Sequence, residues 1–197
     1  MTRAALLIAL PGALPSSLAE VVAERGGVVF DVESHAARAL GVPAELAVAY
    51  VGQERWIDAH RQVLTDTLQN VQSVAVHREN ATALTRSDDA QRMSPRSLEC
   101  LVVVPSLVVE DEECCELIRS VDLPIVGLTG TPRKLAHAIG LSAPRSIALG
   151  PVFSTFATMC ERRETALRDI CHEVLVIDEA SDDSAAWLID VLVSVVF

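Results

Sequence analysis

Ala4-Ala5-Leu6-Leu7-Ile8-Ala9-Leu10-Pro11-Gly12-Ala13-Leu14-Pro15-Ser16-Ser17-Leu18 joins an uninterrupted apolar run to a turn and then to a helical pattern. A continuous run such as Ala4–Leu10 is the mark of a strand buried on both faces, as in a parallel sheet. Pro11-Gly12 stops it, and Ser17–Arg25 carries helical spacing. This is where a phosphate-binding loop sits, with glycines letting backbone N–H groups wrap an anion at a helix N-terminus. Laid on the template G-x-x-x-x-G-K-[ST], Ala9 replaces the first glycine, Leu14 the second and Pro15 the lysine; only Ser16 matches. By itself the stretch reads as a Pro-Gly turn with Ser16 or Ser17 as the helix N-cap.

Working outward, four more apolar runs have the same character: Val28–Val32, Leu101–Val104, Ile125–Leu128 and Val174–Ile177. Helical spacing fills the gaps over Glu33–Leu40, Glu54–Gln69, Asp111–Ser120 and Phe153–Cys171, and Ala185–Val195 follows the last run. Gly26-Gly27 and Gly41 stand where helices should stop. Glu110, Asp111, Glu112 and Glu113 gather at one helix start, the end the helix dipole favours for negative charge. Strands alternating with helices predict an α/β three-layer sandwich around a five-stranded parallel sheet. One stretch, residues 77–96, is polar without sustained period and reads as a loop insertion.

Composition narrows the function. The 197 residues make a single domain over 1–197 with a sizeable core. A net charge of −11 leaves no extended basic footprint for nucleic acid. Lys134 is the one lysine among 16 basic residues, and that skew, with abundant Ala, Val and Arg, points to a GC-rich bacterial source. No apolar run approaches the ~18 residues of a membrane span, and Pro11-Gly12 cuts the first one too early for a signal peptide. A cytoplasmic chain is expected. Its five cysteines, Cys100, Cys114, Cys115, Cys160 and Cys171, form no C-x-x-C pair, and the five histidines lack zinc-ligand spacing. No metal site is expected.

In order and spacing these blocks resemble the shikimate kinases. The family's loop is followed by a strand ending in D-T-D and a helix closed by Leu-Gly; here stand Asp31-Val32-Glu33 and Leu40-Gly41. The family stretch G-E-x-x-F-R-x-x-E-x-x-V-L is matched without a gap by Gly52-Gln53-Glu54-Arg55-Trp56-Ile57-Asp58-Ala59-His60-Arg61-Gln62-Val63-Leu64. Pro105-Ser106-Leu107 takes the place of a glycine triplet, and Glu161-Arg162-Arg163 that of the E-x-R helix. Leu123–Pro132 resembles the family's fourth strand and the start of the next helix. The resemblance implies the P-loop nucleoside-monophosphate-kinase fold, with a lid before the last long helix.

It also implies a site, and the departures fall on that site. Pro15 supplies neither charge nor N–H at the lysine position, and Leu14 brings a Cβ where close approach to phosphate needs glycine. Ile57 stands at a shikimate-binding arginine and His60 at a glutamate. What survives is Gly12, Ser16 and Ser17 as a vestigial phosphate loop, and Asp31, Glu33 and Arg163 as vestigial substrate residues. No catalytic residue is assigned. Each survivor also has a structural reading: a cap for Ser16, a helix start for Asp31 and Glu33, a solvated or ion-paired helix face for Arg163. His60 and His137 read as surface histidines.

Phosphoryl transfer rests on positioning and on cations that neutralise developing charge, so these losses point to a non-catalytic chain that binds a partner or regulates one. An active shikimate-pathway enzyme is the natural partner, and no cofactor is expected. Leu14, Trp56, Ile57 and Leu107 would then close the old pocket or form a protein-binding surface. Two alternatives stand. A small-molecule sensor would keep the pocket with a changed ligand. A divergent shikimate kinase would use Mg-ATP and would need Lys134 or Arg145 to replace the loop lysine.

Overall fold

The computed structural model describes residues 3–82, 98–141, 150–177 and 182–196. Their five strands are β1 (Ala4–Ala9), β2 (Val28–Asp31), β3 (Cys100–Pro105), β4 (Ile125–Thr129) and β5 (Glu173–Val176). They form one sheet in the order β2-β3-β1-β4-β5, every pairing parallel. The first strand in the chain is therefore the middle strand of the sheet. Ala4 lies opposite Cys100 on one side, and Leu6 opposite Ile125 on the other. Burial follows position. Every residue of β1 and β4 is buried, whereas the edge strands β2 and β5 are only half-covered.

The helices are α1 (Leu18–Glu24), α2 (Val32–Leu40), α3 (Ala47–Val51), α4 (Gln53–Thr82), α5 (Glu112–Arg119), α6 (Pro132–Ala138), α7 (Gly150–Ile170) and α8 (Asp182–Val196). α1 and α8 pack on one another, and α8 lies against β1. α4, α5 and α7 pack together and reach β3, β4 and β5. These helices and strands form the three-layer α/β architecture that the apolar runs predicted. Its main core comes from β1, β3 and β4 with Leu64, Ile118, Leu167, Leu188 and Leu192.

The differences from the sequence reading are local. Val32, expected to end β2, opens α2 instead, because the Asp31 carboxylate accepts from the N–H groups of Glu33 (3.0 Å) and Ser34 (3.3 Å) and so fixes the helix start. At the other end Gly41 adopts φ +69°, and its N–H returns to helix carbonyls. α4 runs on to Thr82, so residues 77–82 of the expected loop are helical; Arg78, Glu79 and Ala81 there are good helix formers. Residues 83–96 and Arg145 lie outside the described residues. A second, smaller core joins Ala36, Ala37, Ala47 and Trp56, with Leu40, Val51, Val63 and Leu107 packed against it. This cluster ties α2 and α3 to α4, above the carboxyl ends of β2 and β3.

Candidate functional site

In an open parallel sheet, ligands bind beyond the carboxyl ends of the strands. Here those ends are Leu10–Ser17 after β1, Asp31–Ser34 after β2, the 3-10 turn Ser106–Glu110 after β3, and Thr129–Thr131 after β4.

The β1 loop is tightly built. The Leu10 N–H donates to the Leu128 carbonyl (3.0 Å), and the Ala13 N–H donates back to the Leu10 carbonyl (2.9 Å). Gly12 has φ +81°, and a Cβ there would come within 2.6 Å of the Leu135 carbonyl oxygen. Where a phosphate loop would open onto an anion, Gly12 is thus pressed against an acceptor oxygen of α6. Pro15 is buried and Ser16 exposed. Ser17 precedes α1 without capping it, and its Oγ is buried with no hydrogen-bond partner among the described residues. Of the loop residues picked from sequence, none presents a cation, and Pro15 has no N–H. Lys134 lies on α6, as expected, and is engaged with other groups of the protein. Among the described residues, the loop itself offers no side-chain cation to a polyphosphate.

Across the strand ends, Asp31, Glu33 and Arg163 do come together. Both Asp31 oxygens are committed locally: Oδ1 to the helix cap, Oδ2 to the Ser34 hydroxyl at 2.5 Å. Desolvation by the surrounding protein and the charge of Asp31 raise the Glu33 carboxyl above its ordinary range, while Arg163 pulls it back down. Arg163 is ion-paired, yet it lies inside the protein and not on a solvated face; only about 10% of its side chain is exposed. Its Nε donates to Glu110 Oε1 at 2.9 Å and its Nη1 to Ser106 Oγ at 3.4 Å. Arg162 donates to the same Glu110 oxygen from the surface. Burial works to raise the Glu110 carboxyl, but its bonds to Arg163 and Arg162 prevail and hold it below the usual range.

Sequence reasoning missed Ser106 and Glu110. Glu110 was grouped with the acidic start of α5, but Asp111 is that helix's N-cap, accepting from the Cys114 N–H at 2.9 Å. Glu110 precedes the cap and turns to α7. A partner more than fifty residues away leaves no local signal.

His60 corrects a second expectation. It is fully buried and not a surface histidine, whereas His137 is exposed. Its Nδ1 lies 2.8 Å from the Trp56 carbonyl oxygen, and its ring meets the Trp56 indole edge-on at 4.2 Å. A carbonyl only accepts, so Nδ1 carries the proton and Nε2 is a bare acceptor, buried without a partner among the described residues. Burial lowers the His60 pKa, against the Trp56 hydrogen bond and the charge of Asp31.

The sign of the resulting pH dependence follows. An unfolded His takes up its proton near pH 6.5 and the folded one resists, so this stabilisation is complete above about 6.5 and is lost as pH falls below it. The stability lost by the wild type between pH 7.5 and 5.5 is expected to shrink in His60→Phe, measured by urea unfolding at the two pH values. An unchanged loss would mean that His60 does not titrate on unfolding.

Trp56 settles the fate of the apolar group expected at the old pocket. It is 3% exposed and packs with Leu107 in the smaller core, so it fills space there and offers no docking surface. Leu14 lies apart from that cluster, on the surface.

No protein-family model matches the sequence, and no curated protein matches it. Solved structures do. Shikimate kinase from Acinetobacter baumannii in complex with shikimate superposes with a TM-score of 0.67 at 13% identity, covering 97% of this chain and 93% of that one. Shikimate kinase from Bacteroides thetaiotaomicron gives 0.64 at 11% identity, covering 97% and 94%. The Aquifex aeolicus enzyme gives 0.59 at 10%, covering 97% and 96%. The likeness runs along the whole chain, and at these identities it concerns the fold.

Proposed function

We propose that this chain, whose fold is that of shikimate kinases, does not transfer phosphoryl groups and acts instead by binding and regulating another protein. The observation that carries the reading is the β1 loop. It pairs Pro15, which has no N–H and no charge, with a Gly12 packed against the Leu135 carbonyl oxygen. Phosphoryl transfer needs cations and donors aimed at the phosphates, and this loop carries no lysine and, at Pro15, no N–H. The acceptor side supports the same reading, since Arg163 is already neutralised from within and Ile57 cannot pair with a carboxylate. Leu46, Val48 and Tyr50 stand exposed on one short segment, which favours a protein partner. An active enzyme of the shikimate pathway is the partner proposed.

Isothermal titration with Mg·ATP, alone and with shikimate present, is expected to give no binding heat. Micromolar binding of Mg·ATP, followed by ATP-dependent phosphorylation of shikimate in a coupled assay, would overturn the proposal and make the chain a divergent shikimate kinase using Mg-ATP.

A further inference from the structure

The smaller core is packed against a titratable ring. Ala36 and Ala37 of α2, Ala47 of α3 and Trp56 of α4 are buried together, and the Trp56 indole meets the His60 imidazole edge-on. That ring has no outlet for a second proton. Nδ1 already donates to the Trp56 carbonyl oxygen, and Nε2 is buried with no partner among the described residues. Protonation would make a buried cation whose new N–H meets no acceptor there, a heavily destabilising state.

The charged groups on the elements packed against α4 have other partners. Asp31, at the start of α2, acts on the ring through its charge alone, because its oxygens hold the helix cap and the Ser34 hydroxyl. On α2, His35 Nδ1 lies 2.7 Å from the Asp31 carbonyl oxygen, and Glu33 stands among the charges of Asp31, Arg163 and Glu45. Asp111 and Glu113, from the α5 side, take Arg61 of α4, which also holds Asp58. Glu110, in the turn after β3, goes to α7, and β3 itself has no charged residue. Water therefore reaches a charged His60 at least cost if the smaller core opens by itself. Its buried side chains form a cluster separate from the main core, three of the four are alanines, and local opening draws on such lightly packed parts.

We propose that His60 is an acid-sensitive latch on the smaller core: when its ring gains a proton, α2 and α3 come away from α4 while the sheet stays folded. Burial favours the neutral ring, so the latch is closed at neutral pH and loosens as pH falls below about 6.5, the value for an unfolded histidine. The buried Glu33 has the opposite sign: its carboxyl is raised, so acid tightens its contribution and cannot mimic the latch. Val48 and Tyr50 ride on α3, so the latch also sets how firmly that exposed stretch is held. The device goes beyond the partner reading and stands on packing alone; its test uses no partner.

The test is amide hydrogen exchange of the full chain at pH 7.5, 6.5 and 5.5, with each rate divided by that of an unstructured peptide at the same pH. Amides of α2 and α3 are expected to open more often than those of β1 and β4 at every pH. Between pH 6.5 and 5.5 their opening is expected to rise by up to about tenfold, one proton being taken up per opening. In His60→Phe that rise should vanish. No rise, a rise that survives in His60→Phe, or α2 and α3 opening only as often as β1 and β4 would each overturn the proposal. If His60→Phe does not fold, nitrogen NMR of the wild-type histidines decides. His60 Nε2 should be unprotonated at pH 7.5 and gain its proton as α2 and α3 lose protection; an Nε2 already protonated at pH 7.5 would overturn the latch.

Discussion

Trp56→Ala is expected to cost about 3–5 kcal/mol of folding stability, the usual range for truncating a buried tryptophan. The residue is 3% exposed and stands at the centre of the smaller core, with Ala36, Ala37 and Ala47 around it. The three buried alanines cannot fill the space left, and Leu40, Val51, Val63 and Leu107, packed against the cluster, can close only part of it, so a cavity term should remain. A second loss follows from its ring, which packs edge-on against the His60 imidazole at 4.2 Å. Because this core joins α2 and α3 to α4, the damage should concentrate there. Urea unfolding gives the size, and amide exchange gives the place: protection should fall in α2 and α3 more than in β1. A loss under about 1 kcal/mol, or protection falling evenly through the sheet, would contradict this account of the cluster.

Gly12→Val is the other large effect, about 2–4 kcal/mol, with two independent causes. The backbone there has φ +81°, which L side chains rarely adopt. Any Cβ also approaches the Leu135 carbonyl to 2.6 Å, and that oxygen belongs to helix backbone, which moves only if α6 moves. Gly12→Ala should suffer most of the same loss, since the first carbon makes the clash. Gly140, with φ +75° and open space around its missing Cβ, is the control: Gly140→Ala should cost only the backbone part, about 1–2 kcal/mol. Equal losses at the two positions, by thermal or urea unfolding, would mean that Gly12 is not wedged against α6.

The strands and most helix ends were legible in the sequence because they rest on local causes. β1, β3 and β4 are buried on both faces and so are apolar along their length; Gly41 marks the end of α2 because the chain needs a left-handed residue there. What stayed hidden has non-local causes or too few residues. α3 spans five residues, less than two helical turns, so no period shows. His60 lies one turn after Trp56 on α4, and its burial depends on what packs against α4, α2 above all, which no local pattern reveals. The candidate site divides the same way. Pro15 and Leu14 announce a changed loop from their own chemistry, whereas the service of Glu110 to Arg163 depends on the turn after β3 meeting α7.

The strand order also has a consequence for how the chain is made. β1 is the middle strand, and its two neighbours end at Pro105 and Thr129. A ribosome adding about 5–20 residues per second needs roughly 6–24 s to travel from Ala9 to Thr129. Until β3 has been made both edges of this apolar strand are unpaired, and until β4 follows one of them still is. The central strand of the sheet is thus exposed as an aggregation-prone segment during synthesis until its first partner, β3, has been made.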